Sequence, residues 1–147
     1  MSTLLQDPSF RLYGVCCIAL CLILMFLSGY TGATRGRTKS PGNPEDGRLG
    51  PQERVPLEHP DVVRVLRCHR NALESIPMFF ALGLVHVLAG ASPLGAKVCF
   101  LGFTVARLFH VVFHLKAISL ARSLSFGVGL LCLIGMMVMI GIAIAGA

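Results

Sequence analysis

Two sets of polar side chains interrupt the apolar stretches of this chain, and the spacing of each set is that of one helix face. Arg67, Arg70, Asn71 and Glu74 recur at i, i+3, i+4 and i+7, shortly before the apolar run 76–88. A carboxylate inside an apolar helix is costly unless it is paired, so this stripe requires partners. A collar of basic residues at the membrane interface is the alternative interpretation.

Arg107, His110 and His114 form the second set, at i, i+3 and i+7. Arginines bind carboxylates through paired hydrogen bonds, and a carboxylate such as Glu74 binds an ammonium or an arginine. A small peptide-like ligand with two carboxylates and one amine would satisfy these groups. Alternatively, the two histidines are satisfied polar groups between packed helices. No metal is expected, because His110 and His114 have no evident third ligand and the neighbouring arginines repel a divalent cation.

The composition indicates an integral membrane protein. Of the 147 residues, 54% are hydrophobic and 14% are charged, against roughly 25% charged residues in soluble domains. Eight of the thirteen Lys and Arg residues lie between Arg35 and Arg70, which is typical of a cytoplasmic membrane face and not of a nucleic-acid surface. The six cysteines show no CxxC pattern and five lie in apolar runs, so we expect buried thiols and no disulfide framework.

Four segments are apolar and long enough to cross a bilayer, at about residues 12–33, 62–88, 94–115 and 122–146. We therefore predict one all-α integral membrane domain, 1–147, built as a bundle of four transmembrane helices. A signal peptide is the alternative for the first segment, but little basic charge precedes it. The basic loop at about 35–61 and the short connection before Arg122 then lie on the same side, which we predict to be the cytoplasm.

The second span is predicted to begin near Pro60, with Asp61 at the positive end of the helix dipole, and to bend at Pro77. This topology brings polar groups from several segments to one membrane face. The candidate site residues are Arg35, Asp46, Arg67, Arg70, Asn71, Glu74, Arg107, His110, His114, Arg122 and Ser123.

Four motifs, in register over about residues 35–126, resemble those of a known family, the membrane-associated proteins in eicosanoid and glutathione metabolism (MAPEG). They are Asn43-Pro44-Glu45-Asp46, Arg64-x-x-Arg67-x-His69-x-Asn71-x-x-Glu74, Ala106-Arg107-x-x-His110 and Arg122-Ser123-Leu124-Ser125-Phe126. Within the family, the chain looks most like the branch that contains microsomal prostaglandin E synthase and the microsomal glutathione transferase that shares the Asn-Pro-Glu-Asp loop.

The resemblance implies a homotrimer of four-helix subunits in the endoplasmic reticulum or a bacterial inner membrane, with glutathione bound between subunits near the cytoplasmic face. By motif position, the glutathione contacts are Arg35, Arg67, Arg70, Asn71, Glu74, Arg107 and His110, and His114 is a further candidate contact. Arg122 would lie near the glutathione sulfur and stabilise the thiolate. Ser123 and Asp46 match positions proposed to take part in the synthase chemistry, and the second substrate is a lipophilic molecule that arrives from the bilayer.

The chain also departs from the pattern of that branch. His114 and Phe126 stand where relatives carry tyrosines, the connection between Arg107 and Arg122 is one residue shorter, and Val63 replaces a frequent glutamate. These changes leave the implied carboxylate contacts in place. They concern the pocket for the second substrate and, with it, any specificity for prostaglandins.

We expect an enzyme in which a glutathione thiolate stabilised by Arg122 attacks a lipophilic electrophile or hydroperoxide, as a transferase or peroxidase does. A free thiol has a pKa of about 8.5, so only a few per cent is ionised at neutral pH without such a cation. One alternative is an endoperoxide isomerase of the prostaglandin E synthase type. Another is a non-catalytic membrane protein that binds glutathione or a lipid regulator, in which Arg122 is only an interfacial anchor.

Overall fold

The structure is a computed structural model that describes residues 2–40, 42 and 58–146. Its helices are α1 (Ser2–Gln6), α2 (Pro8–Thr38), α3 (Pro60–Leu88), α4 (Pro93–Leu115) and α5 (Ser119–Ala145). The last four are 31, 29, 23 and 27 residues long and apolar enough to cross a membrane. The prediction of an all-α bundle of four membrane helices is thus confirmed.

Proline occupies the first position of α2, α3 and α4, where its missing N–H group costs no hydrogen bond. The residue before each of these prolines caps the helix. The Asp7 carboxylate accepts from the Ser9 amide at 2.6 Å, the His59 ring from the Asp61 amide at 3.2 Å and the Ser92 hydroxyl from the Gly95 amide at 3.2 Å. Helix α5 follows Ile118 and has no such side-chain cap.

Helix α2 extends beyond the predicted span 12–33 at both ends. It continues past the apolar segment until Lys39, which adopts a left-handed conformation with φ of 52°. Arg35 and Arg37 therefore lie in its last turn, where cations are favoured by the helix dipole. Helix α5 likewise begins at Ser119 rather than near residue 122, so Arg122 lies one turn inside the helix.

Helices α3 and α4 form the centre of the bundle, since each contacts the other as well as α2 and α5. Four aromatic rings join α2, α3 and α4. The Phe79 ring stacks on Phe103 with centroids 4.9 Å apart and meets Phe100 edge-on at 5.6 Å. Tyr13 packs beside them and donates its hydroxyl to the Phe80 carbonyl oxygen at 2.8 Å. This cluster packs α2, α3 and α4 against one another within their apolar segments.

The connection between α3 and α4 is a tight turn at one end of the bundle, with Gly90 in a left-handed conformation (φ 61°). The fully buried His86 ring lies under this turn, with its Nε2 3.2 Å from the Ser92 carbonyl oxygen. Because short connections join antiparallel neighbours, the α2–α3 and α4–α5 connections lie together at the other end. Most of the predicted site residues lie towards that end.

Candidate functional site

A cavity of about 870 Å³ opens where the α2–α3 and α4–α5 connections meet. It is lined by groups from the end of α2, the start of α3, the end of α4 and the start of α5. The charged and titratable lining residues are Lys39, Glu58, His59, Arg64, Arg67, His114 and Arg122. Four of these are cationic and one is a carboxylate, so the cavity suits an anionic ligand.

Two of the cavity's arginines have no carboxylate within 4 Å among the residues that the structure describes. They are Arg67 and Arg122, whereas Arg64 lies 3.8 Å from an Asp61 oxygen. The buried Nδ1 of His114 also has no hydrogen-bond partner among the described residues. A bound acidic molecule would give both guanidinium groups a counter-charge, and it could supply the hydrogen bond that the buried His114 nitrogen lacks.

Helices α4 and α5 position Arg122 through its backbone. Its carbonyl oxygen accepts from His110 Nδ1 at 3.1 Å and from the Ser125 hydroxyl at 2.9 Å. Because a carbonyl can only accept, His110 carries its proton on Nδ1, and its buried Nε2 is an acceptor without a partner among the described residues. The His110 and His114 rings lie edge-on with centroids 5.5 Å apart. The main-chain contact of His110 was not predicted.

Arg70 and Glu74 lie on the outer face of α3, away from the cavity. Arg70 Nε lies 3.3 Å from Glu74 Oε1, and the two side chains are 84% and 61% exposed within the subunit. An exposed pair of this kind contributes little to the stability of a single subunit. It is instead available to a molecule that approaches this face of the helix.

Asn71 and Arg107 meet inside the bundle. Arg107 is only 2% exposed, and its Nη1 donates to Asn71 Oδ1 at 3.0 Å. The guanidinium carbon lies 5.2 Å from the ring centroids of both Phe103 and Phe126. Such cation–π contacts partly replace the water that Arg107 has lost.

The remaining predicted residues have other partners. Arg35 forms a salt bridge with Glu58 at 2.5 Å, and the Ser123 hydroxyl donates to the Ser119 carbonyl oxygen at 3.0 Å within α5. Asp46 and its motif lie outside the described residues. Three arrangements thus contain most of the predicted residues. Arg67, His114 and Arg122 line the cavity, and His110 bonds to the Arg122 carbonyl oxygen. Arg70 and Glu74 form an outward pair, and Asn71 and Arg107 form a buried pair.

Several residues of the cavity were not predicted to belong to it. Arg64 carried a usable signal, because it precedes Arg67 by three residues and so shares its helix face. Lys39, Glu58 and His59 carried none, since they flank a loop whose path the sequence does not indicate. Within the described ranges, no three His, Cys, Asp or Glu side chains come together as metal ligands.

The structure is thus that of a multi-pass membrane protein with a basic cavity at one end of its helix bundle. The sequence model of the MAPEG family matches residues 13–142. The chain is 38% identical over 121 residues to a prostaglandin E synthase of Bos taurus, covering 81% of this chain and 76% of the relative. It is 34% identical over 114 residues to that of Homo sapiens, covering 78% and 75%. With microsomal glutathione S-transferase 1 of Rattus norvegicus, identity is 34% over 111 residues, or 72% of each protein.

The chain therefore belongs to the MAPEG family, and the resemblance inferred from its motifs is confirmed. It is a membrane enzyme of this family, homologous both to an isomerase and to a transferase. Members of the family use glutathione.

Proposed function

We propose that this protein binds glutathione in the cavity at the α2–α3 end and uses its thiol against lipophilic electrophiles or hydroperoxides. The observation that carries the proposal is the convergence of Arg64, Arg67 and Arg122 on a cavity of about 870 Å³. Pockets of roughly 300–1,000 Å³ accommodate ligands of the size of a tripeptide. The family membership supports the choice of glutathione among acidic peptides.

The lining chemistry fits glutathione group by group. Arginines bind its two carboxylates in the paired geometry that guanidinium groups favour, and Glu58 is the lining carboxylate that can accept from its ammonium. The unpartnered His114 Nδ1 can hydrogen-bond to the peptide portion. The bound molecule supplies a thiol, whose ionised form is the nucleophile.

Arg122 is the residue proposed to stabilise the sulfur anion. Arg122 lines the cavity, and its carbonyl oxygen accepts hydrogen bonds from His110 and Ser125. A cation beside a thiol lowers the pKa of that thiol by about one to two units. Each unit corresponds to about 1.4 kcal/mol of preferential stabilisation of the thiolate.

We further propose that neighbouring subunits complete the site, in a homotrimer. A bilayer span of about 20 residues counted back from Leu88 includes both Arg70 and Glu74. Charged side chains at that depth are rarely left facing lipid, yet both are exposed on this subunit. A second copy covering α3 would remove them from lipid and bring them to the ligand.

The proposed site faces the cytoplasm. Eight of the thirteen Lys and Arg residues lie between Arg35 and Arg70, in or beside the connection that borders the cavity. Short loops that carry such an excess remain on the cytoplasmic side of a membrane. Lipophilic substrates would arrive sideways, through the apolar cavity of about 610 Å³ between α4 and α5, which Leu124 and Ser125 border close to Arg122.

An endoperoxide isomerase of the prostaglandin E synthase type is the second candidate, favoured by the 38% identity to the bovine synthase. His114 and Phe126 stand against it, because the family resemblance leads us to expect tyrosines there. A non-catalytic glutathione-binding protein is the third candidate, and the position of Arg122 in the cavity favours an enzyme over it.

Purified protein in detergent or lipid, assayed with glutathione against an aryl halide, a lipid hydroperoxide and a prostaglandin endoperoxide, distinguishes these candidates. We expect turnover of the first or second compound. Turnover of the endoperoxide alone would establish the isomerase instead. Glutathione binding by calorimetry without turnover of any of the three would favour the non-catalytic protein, and no binding would contradict the proposal.

A further inference from the structure

Arg107 is a buried cation whose partner is a neutral amide rather than a carboxylate. Among the described residues no carboxylate lies within 4 Å of its guanidinium. Its polar contact is the bond from Nη1 to Asn71 Oδ1, 3.0 Å long. Since a buried cation without an anionic partner is costly, this arrangement needs an explanation beyond packing.

Three neighbours define the space that the guanidinium occupies. The Phe103 and Phe126 rings lie 5.2 Å from its central carbon, and Gly129 of α5 lies against its edge. A Cβ atom at Gly129 would lie 3.0 Å from Arg107 Nη2 and 3.2 Å from Nε, closer than side chains normally pack. Glycine at this position therefore leaves room for Arg107 between the two rings.

The contact with Arg107 determines which way the Asn71 amide faces. A guanidinium group can only donate hydrogen bonds, so the Asn71 oxygen must face Arg107. The Nδ2 group, with two donors, then faces away from Arg107, and it makes no hydrogen bond to another described residue. Asn71 is half-buried and lies one helical turn from Arg67, which lines the cavity.

We propose that Gly129, Phe103, Phe126 and Arg107 form a positioning unit that presents Asn71 as a double hydrogen-bond donor to a carboxylate or carbonyl oxygen of the peptide ligand. Arg107 is then a positioning residue that acts through Asn71 rather than touching the ligand itself. The inference rests on the proposed function, and it adds which atoms of Asn71 read the ligand and which residues hold them in place.

The variant Asn71→Asp separates positioning from packing. The carboxylate keeps an oxygen for Arg107 and adds an opposite charge beside it, so the thermal unfolding midpoint should stay the same or rise. Both donors are lost and a negative charge faces the ligand's acceptor, so glutathione affinity by calorimetry should fall at least tenfold. Asn71→Ala should lose stability as well as affinity. Wild-type affinity in Asn71→Asp would overturn the proposal.

A second test replaces Gly129 of α5 and uses Gly127 of the same helix as the control. At Gly127 an added Cβ meets no atom within 4 Å, in contrast to Gly129. Gly129→Val should raise the glutathione KM about tenfold with little change in kcat, whereas Gly127→Val should leave both unchanged. If Gly129→Val does not fold, Gly129→Ala should show a smaller rise in KM.

Unchanged KM in a folded Gly129 variant would overturn the positioning unit and leave the proposed function intact. A wild-type protein that binds no glutathione would instead contradict the proposed function. Partial recovery of affinity at Gly129→Val when Arg107 is shortened to Lys would support the steric account.

Discussion

Aromatic rings join the helices near the α3–α4 turn, whereas polar side chains join them at the opposite end. In the first region Phe79 stacks on Phe103 at 4.9 Å, and Tyr13 bonds to the Phe80 carbonyl oxygen. In the second, His110 bonds to the Arg122 carbonyl oxygen. The aromatic contacts are thus made within the subunit, whereas at the polar end Arg67 and Arg122 have no carboxylate within 4 Å and His114 Nδ1 has no hydrogen-bond partner among the described residues.

This comparison is tested most strongly at Arg122. Arg122→Ala should bind glutathione nearly normally but lose turnover about 100- to 1,000-fold, comparable to the loss of one oxyanion-stabilising donor. Arg122→Lys should fall between the two, since it keeps the charge but loses the planar fork. Thiolate absorbance titrated against pH should show a raised glutathione pKa in both variants.

Lys97→Ala is the control for Arg122, because Lys97 lies near the start of α4 at the other end of the bundle. It should leave the titration and turnover unchanged. A normal titration with full activity in Arg122→Ala would make Arg122 an interfacial anchor, and the two ends would then not differ in the way described.

Replacing Arg70, in the outward pair Arg70 and Glu74, should have the next largest effect on function. Because the proposed second subunit and glutathione would bury Arg70, Arg70→Ala should weaken glutathione binding by about 2–4 kcal/mol, the effect of removing one partner of a buried charged contact. The oligomer should remain intact by mass measurement in detergent. Calorimetry that shows unchanged affinity would remove Arg70 from the site and would leave its exposure within the subunit unexplained.

A substitution in the aromatic cluster should lower stability and leave turnover unchanged. Phe79→Leu should lower the free energy of unfolding by about 1–2 kcal/mol, because it removes ring stacking and leaves a partly unfilled core. Thermal unfolding in detergent measures this loss. Turnover per folded molecule should be unchanged, and a large fall in turnover would show that the two ends are coupled.

The smallest expected effect is that of a metal chelator. The polar end uses arginines, and His110 and His114 are not joined by a third His, Cys, Asp or Glu ligand in the described part of the chain. Activity with glutathione should stay within about twofold after chelation. If it disappeared and zinc restored it, an arginine-based site would be wrong.

Much of the architecture was predictable because it depends on local properties. Segments of about 20 apolar residues and clustered basic residues indicate spans and sidedness without any tertiary information. The length of α2 was less predictable, since the helix runs beyond the apolar segment to the left-handed Lys39. The proposed roles of Asp46 and Ser123 stay predictions, and the Ser123 hydroxyl bonds within its own helix.

The candidate site was predictable as a set of residues but not as an arrangement. Arg70 and Asn71 belong to one stripe by spacing, yet successive residues are about 100° apart around a helix. Packing against α4 and α5 turns Asn71 inward to Arg107, whereas Arg70 faces outward beside Glu74. Spacing along the sequence therefore does not show which residues of this set are buried and which are exposed.

The sequence by itself determined the four membrane helices, the charged end and the family, because hydrophobicity, spacing and motif order are properties of the chain read in one dimension. Only the tertiary structure decided which nitrogen of His110 bonds to Arg122, which atom of Asn71 bonds to Arg107 and which atoms a side chain at Gly129 would meet. Each of these depends on the rotation of one helix against another, and that rotation is selected by packing across the whole bundle.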